Sequence, residues 1–453
     1  MVRFRVILAS ALLTCTGGLS AQQTTAPVPP TELREYVKRP EPDYAWKKLT
    51  AVETPQAVVH TLEITSQKWQ GIVWQHGLQV VVPKGVKPQA TMVLWNQGGK
   101  PSAGSAVLAL QIAERVQAPV AFLYGVPNQP LFGGKTEDGL IAETFVKYLA
   151  TKDATWPLLF PMAKSVVKTM DALQAFAKDE WKFEVTHFVV TGASKRGWTS
   201  WLTAATGDPR VKAIAPLVID TLNLPVQMTN QVAAFGKPSE MIADYTRAGL
   251  VPIPDSPEAR KLWAMVDPWA YRDALTLPKM LVHGTNDPYW PLDALNTYWG
   301  DLKGQKGVAY IPNAGHDLRE TNEMGTRQLF PKRAIDTLAA FCKSQVFDKP
   351  LPTLTWEYQP AGDYLTAKPV GTVKSVSRWT ATSDSRDFRK ARWTEQVAYD
   401  KQDEKLYDGT VEVGLKLPAP AEKFTAVFGE VVFDFDGLPL HNSTQIRILE
   451  PKK

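Results

Sequence analysis

FVVTGASKRGW, residues 188–198, carries a run of apolar β-forming residues into a small-residue turn that holds Ser194, and a helical pattern begins at once. A strand that feeds a tight, glycine-flanked turn into a helix lifts a serine hydroxyl above the end of a sheet, which is the geometry of a nucleophile elbow. A serine hydroxyl is a weak nucleophile until a base takes its proton. The reading therefore requires a histidine further along, oriented by a carboxylate.

Both residues follow in the required order. MLVHGTNDPYWP reads as a buried strand, Met280 to Val282, ending in a loop that exposes Asp287. GVAYIPNAGHDL reads as a last short strand, Val308 to Ile311, followed by a loop that carries His316. Ser, Asp and His, each just past the carboxyl end of a strand, stand in the chain order of an α/β-hydrolase. The expected fold class is α/β: a doubly wound, mostly parallel sheet with a helical lid insertion and a small C-terminal all-β domain. Asp220, at the end of LVID, is the rival acid, and His283 is the rival base.

Acyl transfer also needs donors for the oxyanion. The backbone N–H of Lys195, next after the nucleophile, is the first. The loop Asn96-Gln97-Gly98-Gly99 is expected to supply the second, with Gln97 preferred and Asn96 or Gly98 close behind. The elbow departs from G-x-S-x-G, because Arg196 stands two residues after Ser194 and Gly197 comes third. This spacing resembles the elbows of glucuronoyl esterases. Arg196, with its planar fork, is a candidate for binding a carboxylate or the oxyanion. With Lys195 beside a mouth that includes Trp198 and Trp290, it suggests an anionic, uronate-like ester.

The N-terminal MVRFRVILASALLTCTGGLSA has a basic start, an apolar stretch and a small-residue end near Ala21, the pattern of a cleaved secretory signal peptide over residues 1–21. The expected compartment is extracellular or periplasmic. Attachment of lipid at Cys15 is the weaker alternative. Cleavage leaves Cys342 alone, so no internal disulfide is expected. The 453-residue chain is 44% hydrophobic with 15 tryptophans, enough for a large core and more than one domain. Its net charge of +5 falls to about +3 once Arg3 and Arg5 are removed, too mild to argue for nucleic acid. No stretch is long enough to span a bilayer.

Residues 22–43 read as a solvated extension, 44–345 as the catalytic domain with a lid at about 221–275, and 346–453 as a β-sandwich-like domain of short alternating runs. VVHTLEITSQKWQ and GIVWQHGLQVVVP read as antiparallel strands, the second broken near His76 and Gly77. Helices are expected at Ala106 to Val116 and from about Leu158 to Lys178. His60, His76, His187 and His441 show no ligand spacing, so no metal is expected, and the triad chemistry needs no cofactor. Gly134-Lys135-Thr136 lacks the first glycine of a P-loop and reads as a turn.

VTGASKRGW, PLVIDTLN, GTNDPYWPLDALNTYW and IPNAGHDL together resemble the PhoPQ-activated pathogenicity-related family, a group of secreted α/β-hydrolase-like proteins. VPNQPL and the long helix before the elbow fit as well, and the resemblance runs from about Tyr44 to the C-terminus. It implies that Ser194, Asp287 and His316 are the triad, and it carries no substrate. The expected activity is a serine hydrolase acting on a small-molecule or carbohydrate-linked carboxylic ester. The alternatives are a non-catalytic binding or signalling protein on a hydrolase scaffold and a serine peptidase. The oligomeric state is left open.

Overall fold

The computed structural model describes residues 29–359, 364–400, 412–418 and 422–452. The signal peptide and Cys15 lie outside the described residues. Nine strands form the central sheet: β1 (Ala45–Glu53), β2 (Ala57–Trp69), β3 (Ile72–Pro83), β4 (Thr91–Asn96), β5 (Val120–Leu123), β6 (His187–Ala193), β7 (Val211–Leu217), β8 (Lys279–Gly284) and β9 (Lys306–Ile311). Their spatial order is β1-β2-β3-β5-β4-β6-β7-β8-β9. β1, β2, β3 and β5 pair antiparallel, whereas β5, β4 and β6 to β9 run parallel. The swap of β4 and β5 creates a switch point beside β6, where ligands of such sheets bind beyond the strand ends.

Side-chain alternation along the strands builds a core on each face. Met92 and Leu94 of β4 join one cluster, with Val166 and Met170 of α4 (Leu159–Phe176) and Trp201 of α5 (Lys195–Ala205). Val93 and Trp95 join the other, with Ile112 of α2 (Ala103–Val116) and Leu338 of α9 (Lys332–Val346). Strands buried on both faces have no reason to alternate in polarity, which is why β4 to β9 read as continuous apolar runs. Between β7 and β8 the chain forms α6 (Leu224–Phe235), α7 (Ala243–Arg247) and α8 (Pro257–Val266), the helical lid.

Two expectations are corrected. Residues Glu32–Lys38 form a helix, α1, inside the supposed solvated extension. Leu33, Tyr36 and Val37 lie at helical spacing on one face and are buried, and the Tyr36 hydroxyl donates to Gln67 Oε1 at 2.8 Å. The turn between β2 and β3 falls at Gln70–Gly71, both at positive φ, while His76 and Gly77 lie within β3. His76 points inward to Ser66 Oγ at 2.9 Å and to the carbonyls of Tyr124 and Gly125, and burial pushes its imidazole down to about 4. A polar residue in an apolar strand suggests a break by composition, but its hydrogen bonds make it a core residue. A further helix, α3 (Glu137–Thr151), was not singled out from the sequence.

The C-terminal region is all β. β10 (Thr353–Tyr358), β11 (Tyr364–Val370) and β14 (Val413–Lys416) form one sheet; β12 (Val373–Ser383), β13 (Thr394–Asp400), β15 (Phe424–Phe435), β16 (Leu438–Ser443) and β17 (Arg447–Leu449) form the other. It shares its interior with the domain of the central sheet: the Tyr310 ring of β9 lies 5.5 Å from that of Phe428. Across the same boundary Arg333 of α9 pairs with buried Glu430 of β15 at 2.7 Å, and His441 Nδ1 lies 2.9 Å from the same carboxylate. Burial alone would raise Glu430, but Arg333 and His441 outweigh it and hold the carboxyl near about 2. A depressed carboxyl contributes stability that is present above the unfolded pKa and is lost as pH falls from about 4.5 toward 2. Glu430→Gln is therefore expected to cost about 3 kcal/mol at neutral pH and to flatten the acid limb of stability. Urea unfolding from pH 7 to pH 3 measures both.

Candidate active site

The elbow forms because two close approaches demand glycine. Ser194 takes φ 59° and ψ −129°, a conformation rare for a residue with a Cβ and a store of strain at functional turns. A Cβ on Gly192 would sit 2.6 Å from Asn96 Nδ2 and 2.8 Å from Asn96 O. One on Gly197 would sit 2.6 Å from Ile219 Cγ2 and 3.0 Å from the carbonyls of Gly192 and Leu217. The second glycine is thus required at position 197, on the face of α5 that meets the sheet, and position 196 is free to carry a large side chain.

The acid and base loops meet by the same device. A Cβ on Gly284, the last residue of β8, would collide with the carbonyls of Ala314 and Gly315. This lets the loop after β9 close over the end of β8 and brings His316 Nδ1 to 2.7 Å from Asp287 Oδ2. The other oxygen of Asp287 accepts the Tyr289 N–H at 2.9 Å. The Tyr289 ring packs on the imidazole with centroids 4.3 Å apart. His316 Nε2 is buried with no hydrogen-bond partner. Ser194 and His316 line one cavity of about 40 Å³, together with Lys195, Trp198, Tyr289 and Trp290.

Two neighbours hold this loop pair in place. The lid grips the acid loop through Gln231 Nε2 to Tyr289 O at 2.9 Å and Ser239 Oγ to Pro288 O at 2.7 Å. The C-terminal domain grips both loops: Asn286 Nδ2 donates to Ala391 O at 2.7 Å, and Asn313 exchanges bonds of 3.0 and 2.8 Å with the backbone of Trp393. Neither asparagine stood out in the sequence, because the partners are more than 75 residues away. The only local signal is position, each lying within three residues of Asp287 or His316.

The rival pair sits apart from the nucleophile. Asp220 is fully buried and accepts the Tyr298 hydroxyl at 2.6 Å, and burial raises its carboxyl. His283 Nε2 is buried without a partner. Both line a neighbouring cavity that does not include Ser194 or His316.

The oxyanion expectations divide. Lys195 opens α5, and the first N–H groups of a helix have no intrahelical acceptor. The Gln97 N–H, in contrast, donates to Leu123 O at 2.7 Å within the sheet. Asn96 is engaged as a brace, with Nδ2 donating to Thr191 O, Arg196 O and Ser200 Oγ at 2.8 to 3.1 Å. Of the three loop residues considered, Gly98 remains. It has no room for a Cβ because the Arg196 guanidinium lies against it.

Arg196 does not reach into the cavity. Its two terminal nitrogens each meet a Glu137 oxygen at 2.7 Å, and Nε donates to Val126 O at 2.6 Å. Lys195 Nζ joins at 2.8 Å from Glu137 and 3.3 Å from Asp138. Burial alone would raise the Glu137 carboxyl, but the Arg196 hydrogen bonds and the adjacent lysine hold it well below the usual range. Both cations beside the nucleophile are neutralised within the protein, so the expected anion-binding fork is occupied by Glu137. Glu137 itself takes φ 51° and is fixed by Gln129, which bonds both its N–H and its carboxylate. Trp198 lines the cavity while its Nε1 donates to Val266 O at 2.6 Å, and Trp290 lines it from the acid loop. Gly133 and Gly134 take positive φ in a turn closed by Leu131 and Lys135. Among the described residues no group of three or more His, Cys, Asp or Glu could hold a metal ion, and no helix is long and apolar enough to cross a membrane.

Comparison with known proteins finds likenesses in structure and in sequence. The acetyl xylan esterase 1 of Thermoanaerobacterium sp. is 16% identical, with a TM-score of 0.45 over 64% of this chain and 90% of that one. An S-formylglutathione hydrolase from Agrobacterium tumefaciens is 14% identical, with a TM-score of 0.43 over 66% and 99%. A glucuronoyl esterase from Solibacter usitatus is 12% identical, with a TM-score of 0.40 over 69% and 91%. In sequence, the chain is 33% identical over 386 residues to the autocrine proliferation repressor protein A of Dictyostelium discoideum, covering 79% of this chain and 76% of that one. The family described as PhoPQ-activated pathogenicity-related protein matches residues 33–389, which take in the whole central sheet, the helices between β7 and β8 and the start of the C-terminal β region, and this chain belongs to it.

Proposed function

We propose that this protein is a secreted serine hydrolase acting on carboxylic esters. The observation that carries the reading is a serine at φ 59° on a strand-to-helix turn, sharing one cavity with a histidine whose other ring nitrogen lies 2.7 Å from a loop carboxylate. Ser194 Oγ attacks the ester carbonyl while His316 Nε2 takes its proton, and Asp287 stabilises the imidazolium. The tetrahedral oxyanion is met by the N–H of Lys195, with Gly98 in place of Gln97 as second donor. His316 then protonates the leaving alcohol, and water attacks the acyl-enzyme by the reverse path. Fluorophosphonate labelling, with an ester and peptide screen beside it, tests the reading: labelling at Ser194 with ester turnover supports it, and an unlabelled Ser194 overturns it.

A second reading is a binding or signalling protein that keeps the triad. It is favoured by the small catalytic cavity beneath the lid and by the name of the Dictyostelium relative. The same labelling separates the two.

Arg196→Met is expected to lower stability by about 1–3 kcal/mol, since it leaves Glu137 half-buried beside a single lysine. It should depress kcat/KM for charged and neutral esters alike. Thermal melts and paired kinetics check this, and a loss confined to anionic esters would return the guanidinium to the substrate. Asn313→Ala should cut kcat about 10- to 100-fold with little change in KM, by loosening the loop that carries His316. Steady-state kinetics at saturating ester measures it.

A further inference from the structure

A cavity of about 840 Å³ opens among the lid residues beside the one at Ser194, and the two share Met228, Val251 and Trp263 as a common wall. The size is that of a small-molecule site. The catalytic cavity, at about 40 Å³, has room for a reacting ester group and little more, so the rest of a substrate has to extend beyond it. Met228 is an unbranched, flexible side chain, the kind of wall that yields.

The chemistry of the larger cavity suits an apolar group better than a sugar. Its wall is mostly apolar, with Ile253, Ala264 and Trp269 among the lining groups, and most of its polar side chains already have partners in the protein, Trp263 Nε1 being the exception. Asp267 accepts the N–H groups of Leu224, Trp269 and Asn223 at 2.7 to 3.2 Å. Asn223 Nδ2 donates to Thr297 O, Thr229 Oγ1 to Pro225 O, and Arg260 pairs with Asp255. A carbohydrate desolvated against this wall would leave most of its hydroxyls without partners, a penalty that an aliphatic chain does not incur.

We infer that this chamber holds an aliphatic chain attached to the scissile ester, so that the substrate is a medium- or long-chain ester with its reacting carbonyl at Ser194. The inference rests on the serine-hydrolase reading. It is tested with two ester series, p-nitrophenyl acylates from acetate to dodecanoate and acetates of primary alcohols of the same lengths. Dodecanoate binding by the Ser194→Ala protein is measured alongside by calorimetry. The expected result is a rise in kcat/KM of about fourfold per added methylene in one series until the chamber is filled. The series that responds tells whether the chain belongs to the acid or the alcohol. Ala264→Trp, which fills the chamber from α8, should cut the long-to-short rate ratio at least about tenfold. Thr229→Phe, at an exposed position on α6, repeats the test if the first variant misfolds. A flat length profile in both series with no dodecanoate binding overturns the inference while leaving the hydrolase intact. Failure of the hydrolase reading looks different: esters of every length go untouched, and Ser194 takes no fluorophosphonate, which removes the ester from the inference as well.

Discussion

Ser194→Ala is expected to abolish ester turnover and to leave the melting temperature nearly unchanged. The hydroxyl faces the catalytic cavity, and alanine keeps the Cβ that the elbow already tolerates at φ 59°, so backbone strain and packing stay as they are. The expected loss is of the whole covalent route, because among the described residues Ser194 is the one serine or cysteine lining that cavity and the one held on the strand-to-helix turn; the residual rate should be that of an oxyanion hole acting on bound ester alone. Single-turnover assays with an aryl ester, together with thermal melts, measure both halves. Retained turnover in this variant would remove Ser194 from the mechanism.

The second large effect is expected from Asp287→Asn, about 10⁴-fold in kcat, by analogy with the serine protease triad. An asparagine in this place still bonds the Tyr289 N–H through its oxygen, so the loop survives. Its amide offers a donor to His316 Nδ1, which selects the wrong tautomer and removes the base from Nε2. Asp220→Asn should leave kcat close to the parent value, since that carboxyl accepts from the Tyr298 hydroxyl and no bond joins it to His316. A reversal of these two outcomes would move the acid to the end of β7.

Much of the site was legible because an elbow is a local object. The apolar run of residues 188–193, the glycines at 192 and 197 and the helical start at 195 are all set by neighbours in the chain, and strand-end positions of Asp287 and His316 follow from the same grammar. The helix missed at Glu32–Lys38 was short, and its three buried residues were masked by the proline and threonine around them. The break wrongly placed at His76 and Gly77 came from reading a polar side chain as exposed, when long-range bonds to Ser66 and Tyr124 make it part of the core.

The sequence by itself determined the α/β class, the lid between β7 and β8, the β-rich C-terminal region and the three residues at strand ends, because periodicity and turn chemistry act over a few residues. Only the tertiary structure decided what those residues face. A sheet partner takes the N–H of Gln97, and Glu137, 59 residues away in the chain, fills the fork of Arg196. The braces from Ala391 and Trp393 and the apolar chamber behind Met228 likewise arise between segments distant in sequence. Hydrogen-bond partners and cavities are properties of approach in space, and a chain read in one dimension carries no record of them.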